Sequence, residues 1–359
     1  MAGKNKFIPG LKLSRMLFEE EISSIMEDKF PNLQYAATSL GPCSEILGLD
    51  DKISMDHQWG PKIGIVISDT DYAKYSNEIM KTFKEILPPN FKGLNMMWAK
   101  PGIDIHNTNE KALYNIYITT LPGILNFHGK IKQIPFEDTK WLGVSEQHLL
   151  EFTSGEVYID NTGELTKARE FLSYYPDNVL KYLLMMDWSA IGGDWFPMGR
   201  MVMKGDDLGL RIQTAKIVQH MMRIAFRLSK KYYPYRKWFG TLFKSLRIAS
   251  KLEPLLLDLT QEGDWKKMEE KICNIDEILL NEQNKMSNMP KINIIPEMES
   301  NGRHYMKFDY LKIRNKIFED LKPPLNLIDK NAEGQWDARN RILWESEVGK
   351  WPFVFLQKK

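Results

Sequence analysis

Leu13, Met16, Leu17, Ile22, Ile25 and Met26 recur at helical spacing, with Glu19, Glu20 and Glu21 turned away from them. That pattern predicts an amphipathic helix over residues 11–30, stopped by Pro31. Residues 35–40 read as a short strand, and 62–68, rich in β-branched residues and alternating, as a second. A helix over 70–87 ends at Pro88 and Pro89, and strands are expected at 94–99 and 114–120. A turn-rich connecting region then leads to residue 164, beyond which the pattern is helical: one helix to 174, another after Asp177, and a long one over 207–232. In the long helix Leu208, Ile212, Ala215, Val218, Met222, Ala225 and Ser229 trace one face, leaving Arg211, Lys216, Arg223, Arg227 and Lys230 off it. The polar, proline-bearing stretch 281–299 predicts a mobile loop between two late helices, and Trp336, Trp344 and Trp351 a packed terminal segment. The fold class expected is α+β, a mixed sheet with helices followed by a mostly α-helical bundle, divided as 1–160 and 161–359.

Composition agrees with two folded domains. At 359 residues the chain exceeds the roughly 250–300 that one core usually serves, and 43% hydrophobic residues are enough to build cores. The formal net charge of +2 supplies no global field toward nucleic acid or an anionic membrane. Cys43 and Cys273 lack the spacing of a zinc site or a disulfide framework, which points to a reducing, cytoplasmic location. The charged start has no apolar signal core, and no run approaches the roughly 20 apolar residues of a membrane helix.

The segment with chemical promise is 41–61, GPCSEILGLDDKISMDHQWGP. A strand entering a turn at Gly41–Ser44, a short helix beginning there, and a second strand carrying Asp56, His57, Gln58 and Trp59 are expected. Alternation then puts Asp56 and Gln58 on one face and His57 on the other. A small-residue turn lets backbone N–H groups approach a phosphate, and a carboxylate on the neighbouring strand can hold Mg²⁺ against triphosphate oxygens. The plainer alternatives are a helix-capping Ser44, solvated turn residues at Asp50 and Asp51, and a core Trp59. Around Tyr232–Trp238, YYPYRKW, Pro234 suits the first turn of a new helix whose N-terminus would favour anions. Asp206 and Asp207 either cap the long helix or supply a base. No hydrolase triad, His/Cys metal cluster or P-loop occurs.

The Gly41–Ser44 turn followed by Asp56 resembles the DNA polymerase beta-like nucleotidyltransferase superfamily. GPCSEILGLDD, MDHQWGP and YYPYRKWFGTLF together, spanning roughly residues 11–250, look like a bacterial family of unknown function in which a nucleotidyltransferase-like domain precedes a helical one. The resemblance implies Asp56 as catalytic carboxylate and metal ligand, and Gly41, Ser44 and Gln58 around the nucleotide. It further implies Tyr235 stacking on the base, Lys237 holding the triphosphate, and a cleft between the domains as the place of binding. Its function would be transfer of a nucleoside monophosphate from an NTP, with Mg²⁺, to a hydroxyl of a small-molecule acceptor. The sequence departs from that pattern at Gln58, a neutral amide where a second carboxylate is expected, and 114–120 carries no third. Two alternatives therefore stand beside transfer: a degenerate nucleotide-binding or regulatory protein, and an enzyme nucleotidylating tRNA or protein, the tRNA version resting on the basic stretch 223–244.

Overall fold

The computed structural model describes residues 7–41, 43–56, 59–98, 113–129, 131–298, 302–328 and 330. It opens with α1 (Gly10–Leu17), which continues through a π-helical turn (Phe18–Ile22) into α2 (Ser23–Lys29). Next come β1 (Ala36–Ser39), a 3-10 turn (Ile53–Asp56), β2 (Ile63–Val66) and α3 (Asp69–Ile86). Two short ladders follow, β3 (Asn90–Phe91) with β4 (Leu94–Asn95) and β5 (Met97–Trp98) with β6 (Leu113–Tyr114). The chain goes on through β7 (Ile116–Thr119), α4 (Leu121–Gly129), α5 (Asp138–Trp141), α6 (Glu146–Thr153), β8 (Glu156–Asp160) and α7 (Glu164–Phe171). The remainder is helical: α8 (Asp177–Trp195), α9 (Met198–Lys204), α10 (Asp207–Leu228), α11 (Arg236–Phe243), α12 (Ala249–Gln261), α13 (Trp265–Lys285), α14 (Tyr310–Glu319) and a 3-10 turn (Leu325–Leu327). The class is α+β, a sheet-bearing first part and a helical second part. Two compact units form, Met1–Pro135 with His148–Ser173, and Phe136–Gln147 with Tyr174–Lys359.

The first unit is built on a four-stranded sheet in the order β7-β2-β1-β8. β1 is antiparallel to both β2 and β8, and β2 is parallel to β7. Its core joins Ala37, Ile63, Ile65 and Ile116 of the sheet to Leu17, Ile22, Ile25, Met26, Ile79 and Phe83 of the helices. The π-helical turn sits where the apolar stripe takes a five-residue step from Leu17 to Ile22; one wider turn keeps both fully buried. α3 starts because Ser68 caps it: its Oγ accepts from the Asp71 amide at 3.0 Å and donates to Asp71 Oδ2 at 2.8 Å.

Three expectations are corrected. β8 lies in the stretch read as turn-rich connection; its five residues are all half-buried, so it lacks the clean alternation that marks a strand. In pairing with β1 it skips from Ile159 opposite Ala37 to Val157 opposite Thr38, which leaves Tyr158 as a bulge residue. The buried stripe of α10 is Leu210, Thr214, Ile217, Met221 and Ile224, whereas Leu208 and Ile212 are exposed and Arg223 and Arg227 are buried. The sequence offers two competing stripes, and buried carboxylates elsewhere in the unit draw the arginines inward. Finally, α13 runs on to Lys285, and Met289, Ile292 and Ile294 beyond it are buried, so the described part of 281–299 is packed rather than loose. Trp336, Trp344 and Trp351 lie outside the described residues.

In the second unit α8 is buried on nearly all sides from Val179 to Ile191, and its sequence, apolar but for Lys181, Asp187 and Ser189, is that of a central helix. α10 and α14 pack along it, and Trp188 Nε1 donates to Gln283 Oε1 of α13 at 2.8 Å. Asp276 of α13 is wholly buried and accepts from the Tyr310 hydroxyl at 2.6 Å. Burial pushes its carboxyl well above the usual range, and the Tyr310 bond only partly opposes this. A carboxyl raised on folding favours the folded state below its unfolded pKa, and that contribution is lost as pH rises. Asp276→Asn, still able to accept from Tyr310, is therefore expected to melt higher than the parent at about pH 8, with the gain shrinking toward about pH 4. Thermal unfolding followed by circular dichroism across that range checks it; a gain that does not depend on pH would contradict it.

Candidate functional site

The chain reaches the Gly41 turn from a strand end that is fixed on every side. Ser39 Oγ donates to the Lys62 carbonyl and accepts from the Tyr158 hydroxyl at 2.8 Å. The Lys62 amide donates to Ser14 Oγ at 2.9 Å, and that hydroxyl donates to the Gly10 carbonyl at 2.9 Å. Tyr158 is a ligand in this set because the bulge turns it there, and Phe18 stacks on its ring at 5.2 Å. Burial pushes its hydroxyl up to about 12, so it stays a donor.

Gly41 itself is buried with φ of +134°, a conformation that side-chain-bearing residues rarely adopt, and a Cβ there would meet nothing within 4 Å. After it the backbone coils tightly. The Ile46, Leu47 and Gly48 amides donate three residues back at 3.1, 3.2 and 3.0 Å, and Leu49 donates to the Ser44 carbonyl at 2.9 Å. The expected short helix is thus a run of turns ended by Gly48 at φ +66°. Ser44 is half-buried, and its hydroxyl makes no hydrogen bond among the described residues, so it does not cap that run.

Beneath the turn lies a charged cluster for which sequence spacing gave no signal. Lys62 Nζ sits 2.5 Å from Glu45 Oε1 and 2.6 Å from Cys43 Sγ, with Glu45 almost fully buried. Burial pushes the Cys43 thiol up, Lys62 opposing it, so the cysteine is the weak partner in this set.

Asp56 closes the 3-10 turn and does not lie on a strand; β2 begins only at Ile63. The strand reading fails here because Asp51, just upstream, nucleates a local turn: its Oδ1 accepts from the Ile53 amide at 2.8 Å and the Ser54 amide at 3.0 Å. His57 and Gln58 lie outside the described residues. Asp50 is not a solvated turn residue. Its Oδ2 accepts from the Gly10 amide at 2.7 Å and from Trp59 Nε1 at 2.9 Å, so the segment carrying Asp56 is a loop closed at its base. Trp59 is half-buried and stacks on Phe7 at 5.7 Å.

Tyr235 and Lys237 belong to the second unit, with Gly41, Ser44 and Asp56 in the first. Tyr235 is half-buried at the N-cap of α11, its amide donating to Gln147 Oε1 at 2.8 Å, and Pro234 precedes the cap rather than entering the first turn. Lys237 is exposed and its ammonium lies 4.9 Å from the Trp238 ring centre. Asp206 acts as a cap, accepting from the Gly209 amide at 2.8 Å.

Deeper in the second unit an ionic chain runs between helices. Arg227 Nε donates to Asp187 Oδ2 at 2.5 Å and Nη1 to Glu146 Oε1 at 2.9 Å, all three side chains being nearly inaccessible. His220 Nδ1 lies 3.3 Å from Asp187 and its Nε2 3.8 Å from Asp194, whose other oxygen meets Lys216 Nζ at 3.4 Å. Burial alone would push the Asp187 carboxyl up; the charge of Arg227, with His220 and Arg223, overcomes it and holds the carboxyl well below the usual range.

Mg²⁺ is held by one or two carboxylates with substrate phosphates and keeps several waters. Among the described residues no group of three or more His, Cys, Asp or Glu side chains is placed to hold a metal ion, and β7 offers only Ile116, Tyr117, Ile118 and Thr119. Asp56 and Gln58 supply one carboxylate and one amide, a pair whose chemistry would suit a single Mg²⁺ arriving on a triphosphate rather than two metals.

A family model described as a domain of unknown function (DUF4037) matches residues 141–239, less than half of the chain. The matched segment holds the ionic chain from Glu146 to Arg227 together with Tyr235 and Lys237. No curated protein and no solved structure matches the chain. No helix among the described residues is long and apolar enough to cross a membrane.

Proposed function

We propose that the chain is a nucleotidyltransferase-like protein whose first unit takes a nucleoside triphosphate at the Gly41–Ser44 turn and transfers the nucleoside monophosphate to a hydroxyl of a small acceptor. The observation that carries this reading is the turn: a buried glycine at φ +134° on a strand end, open on the side where a Cβ would stand, and three residues on a half-buried serine hydroxyl with no hydrogen bond among the described residues. Backbone amides and a small hydroxyl so arranged suit phosphate oxygens. Asp56, on its closed loop, would hold the Mg²⁺ that arrives with the triphosphate and screens its charge. The Lys62 ammonium is committed to Glu45 and shapes the turn from below rather than serving as a phosphate ligand.

A second reading, a nucleotide-binding protein without turnover, is favoured by Gln58 and by a β7 free of carboxylates. Calorimetric titration of ATP, GTP, CTP and UTP, with and without Mg²⁺, separates the two when combined with an assay for pyrophosphate. Transfer predicts Mg²⁺-dependent binding of at least one triphosphate, weakened about tenfold or more in Asp56→Ala, with pyrophosphate released on addition of an acceptor. Metal-independent binding without release supports the second reading, and no binding of any triphosphate defeats both. The roles that the family resemblance gives Tyr235 and Lys237 are tested by the same titrations on Tyr235→Ala and Lys237→Ala: weakened binding supports them and unchanged binding removes them.

A further inference from the structure

A cavity of about 880 Å³ opens within the helical unit, between the ends of α8 and α9 and the segment that runs from Arg303 into α14. That volume falls in the roughly 300–1,000 Å³ range of small-molecule sites. One side is a preformed aromatic wall. Trp195 and His304 stack with ring centres 3.8 Å apart, and His304 is held by Glu269 Oε1 at 2.7 Å and the Phe196 carbonyl at 3.3 Å. The other oxygen of Glu269 accepts from the Tyr305 and Met306 amides, which fixes the strap carrying the histidine. Phe196 also lines the cavity and has 64% of its surface exposed, which leaves its ring open to a ligand.

The polar groups point to the kind of ligand. Ser189, on the buried side of α8, is only 6% exposed, lines the cavity, and its Oγ has no hydrogen-bond partner. A buried hydroxyl is normally satisfied, so one left unpartnered on a residue that lines a cavity marks a place where a small shift would admit a ligand's donor or acceptor. At the rim the balance is cationic. Lys312 Nζ is used by the Asn293 carbonyl and Lys316 by Glu319, while the Asp309 carboxylate caps α14. Arg200 and Lys307 also line the cavity, and their side chains make no hydrogen bond or ion pair among the described residues. An arginine fork beside a lysine suits a phosphate better than a single carboxylate.

We propose that this cavity binds a flat aromatic phosphate of nucleoside-monophosphate size. Its ring lies against Phe196 and the Trp195–His304 stack, its polar edge bonds Ser189 Oγ, and its phosphate stays at the hydrated rim between Arg200 and Lys307. This site shares no residue with the Gly41 turn, so its existence does not depend on the transfer reading. Calorimetry on the full chain without Mg²⁺, using AMP, GMP, CMP and UMP, with adenosine and ribose 5-phosphate as fragments, tests it. At least one monophosphate should bind with one-to-one stoichiometry, and both fragments should bind about tenfold or more weakly than AMP if AMP is that ligand. Phe196→Ala and the Arg200→Ala/Lys307→Ala double variant, all at exposed positions and checked for native circular dichroism, should each weaken binding by about tenfold or more. No saturable binding of any monophosphate at millimolar concentration overturns the proposal. So does binding that both variants leave unchanged.

Discussion

Arg227→Ala is expected to destabilise the protein by about 3–5 kcal/mol, measured by urea unfolding at neutral pH. The cost is not that of a lost attraction alone. Truncation leaves Asp187 and Glu146 as buried carboxylates that have lost a directly bonded cation, Asp187 keeping only His220 and the charge of Arg223. Asp187→Ala and Arg227→Ala made together should cost clearly less than the sum of the two single changes, because the second removes a charge that the first has already stranded. A loss under about 1 kcal/mol for Arg227→Ala would mean that the guanidinium is hydrated like a surface arginine. The pH dependence has a definite sign. Asp187 is held below its ordinary range, so the stability it contributes is present above the unfolded carboxylate pKa and is lost as pH falls through the folded one. Asp276 works in the opposite direction: its contribution is present below the ordinary carboxylate pKa and is lost as pH rises.

Gly155→Ala should be nearly as damaging. The residue sits at φ +72°, and an added Cβ would overlap the Ser39 carbonyl oxygen and come within 3.1 Å of its carbonyl carbon, both backbone atoms of β1. Left-handed strain and overpacking add to a loss of roughly 2–5 kcal/mol. Gly163→Ala is the control: φ is similar at +70°, but nothing lies within 4 Å of the new methyl, so only the conformational cost of about 1–2 kcal/mol applies. Because Ser39 anchors the entry to the Gly41 turn, Gly155→Ala should also weaken triphosphate binding more than Gly163→Ala does. Equal destabilisation by the two substitutions would show that strand β8 can shift away from Ser39.

What the sequence disclosed followed periodicity. Helices α1, α3, α8 and α10 and strands β1, β2 and β7 lie close to where apolar spacing and prolines put them, although α10 buries the weaker of its two stripes and β7 buries Ile116 alone. β8 escaped because a strand half-buried along its whole length shows no alternation, and its membership in the sheet depends on a register with β1 more than a hundred residues away. The inward arginines of α10 escaped for a related reason. A charged residue reads as solvent-facing until its partner is known, and Asp187 and Glu146 are 40 and 81 residues distant. The Gly41 turn was legible because glycine and proline in succession, with a serine two residues on, are turn-forming residues, whereas Asp56 was misplaced on a strand since Asp51 forms a local turn that alternation cannot anticipate. The cluster of Lys62 with Glu45 and Cys43 could not be read at all, because nothing in sequence separates a buried lysine from a solvated one.

One carboxylate oxygen, Asp50 Oδ2, receives both the first amide of α1 and the indole of Trp59. The start of the first helix and the loop that presents Asp56 therefore form a single opening unit: fraying the helix removes one of the two donors that hold the loop shut, and loosening the loop uncaps the helix. Any ligand that needs the Asp56 loop closed is thereby coupled to the order of the first turn of α1, and its apparent affinity falls by the fraction of molecules in which that turn has opened.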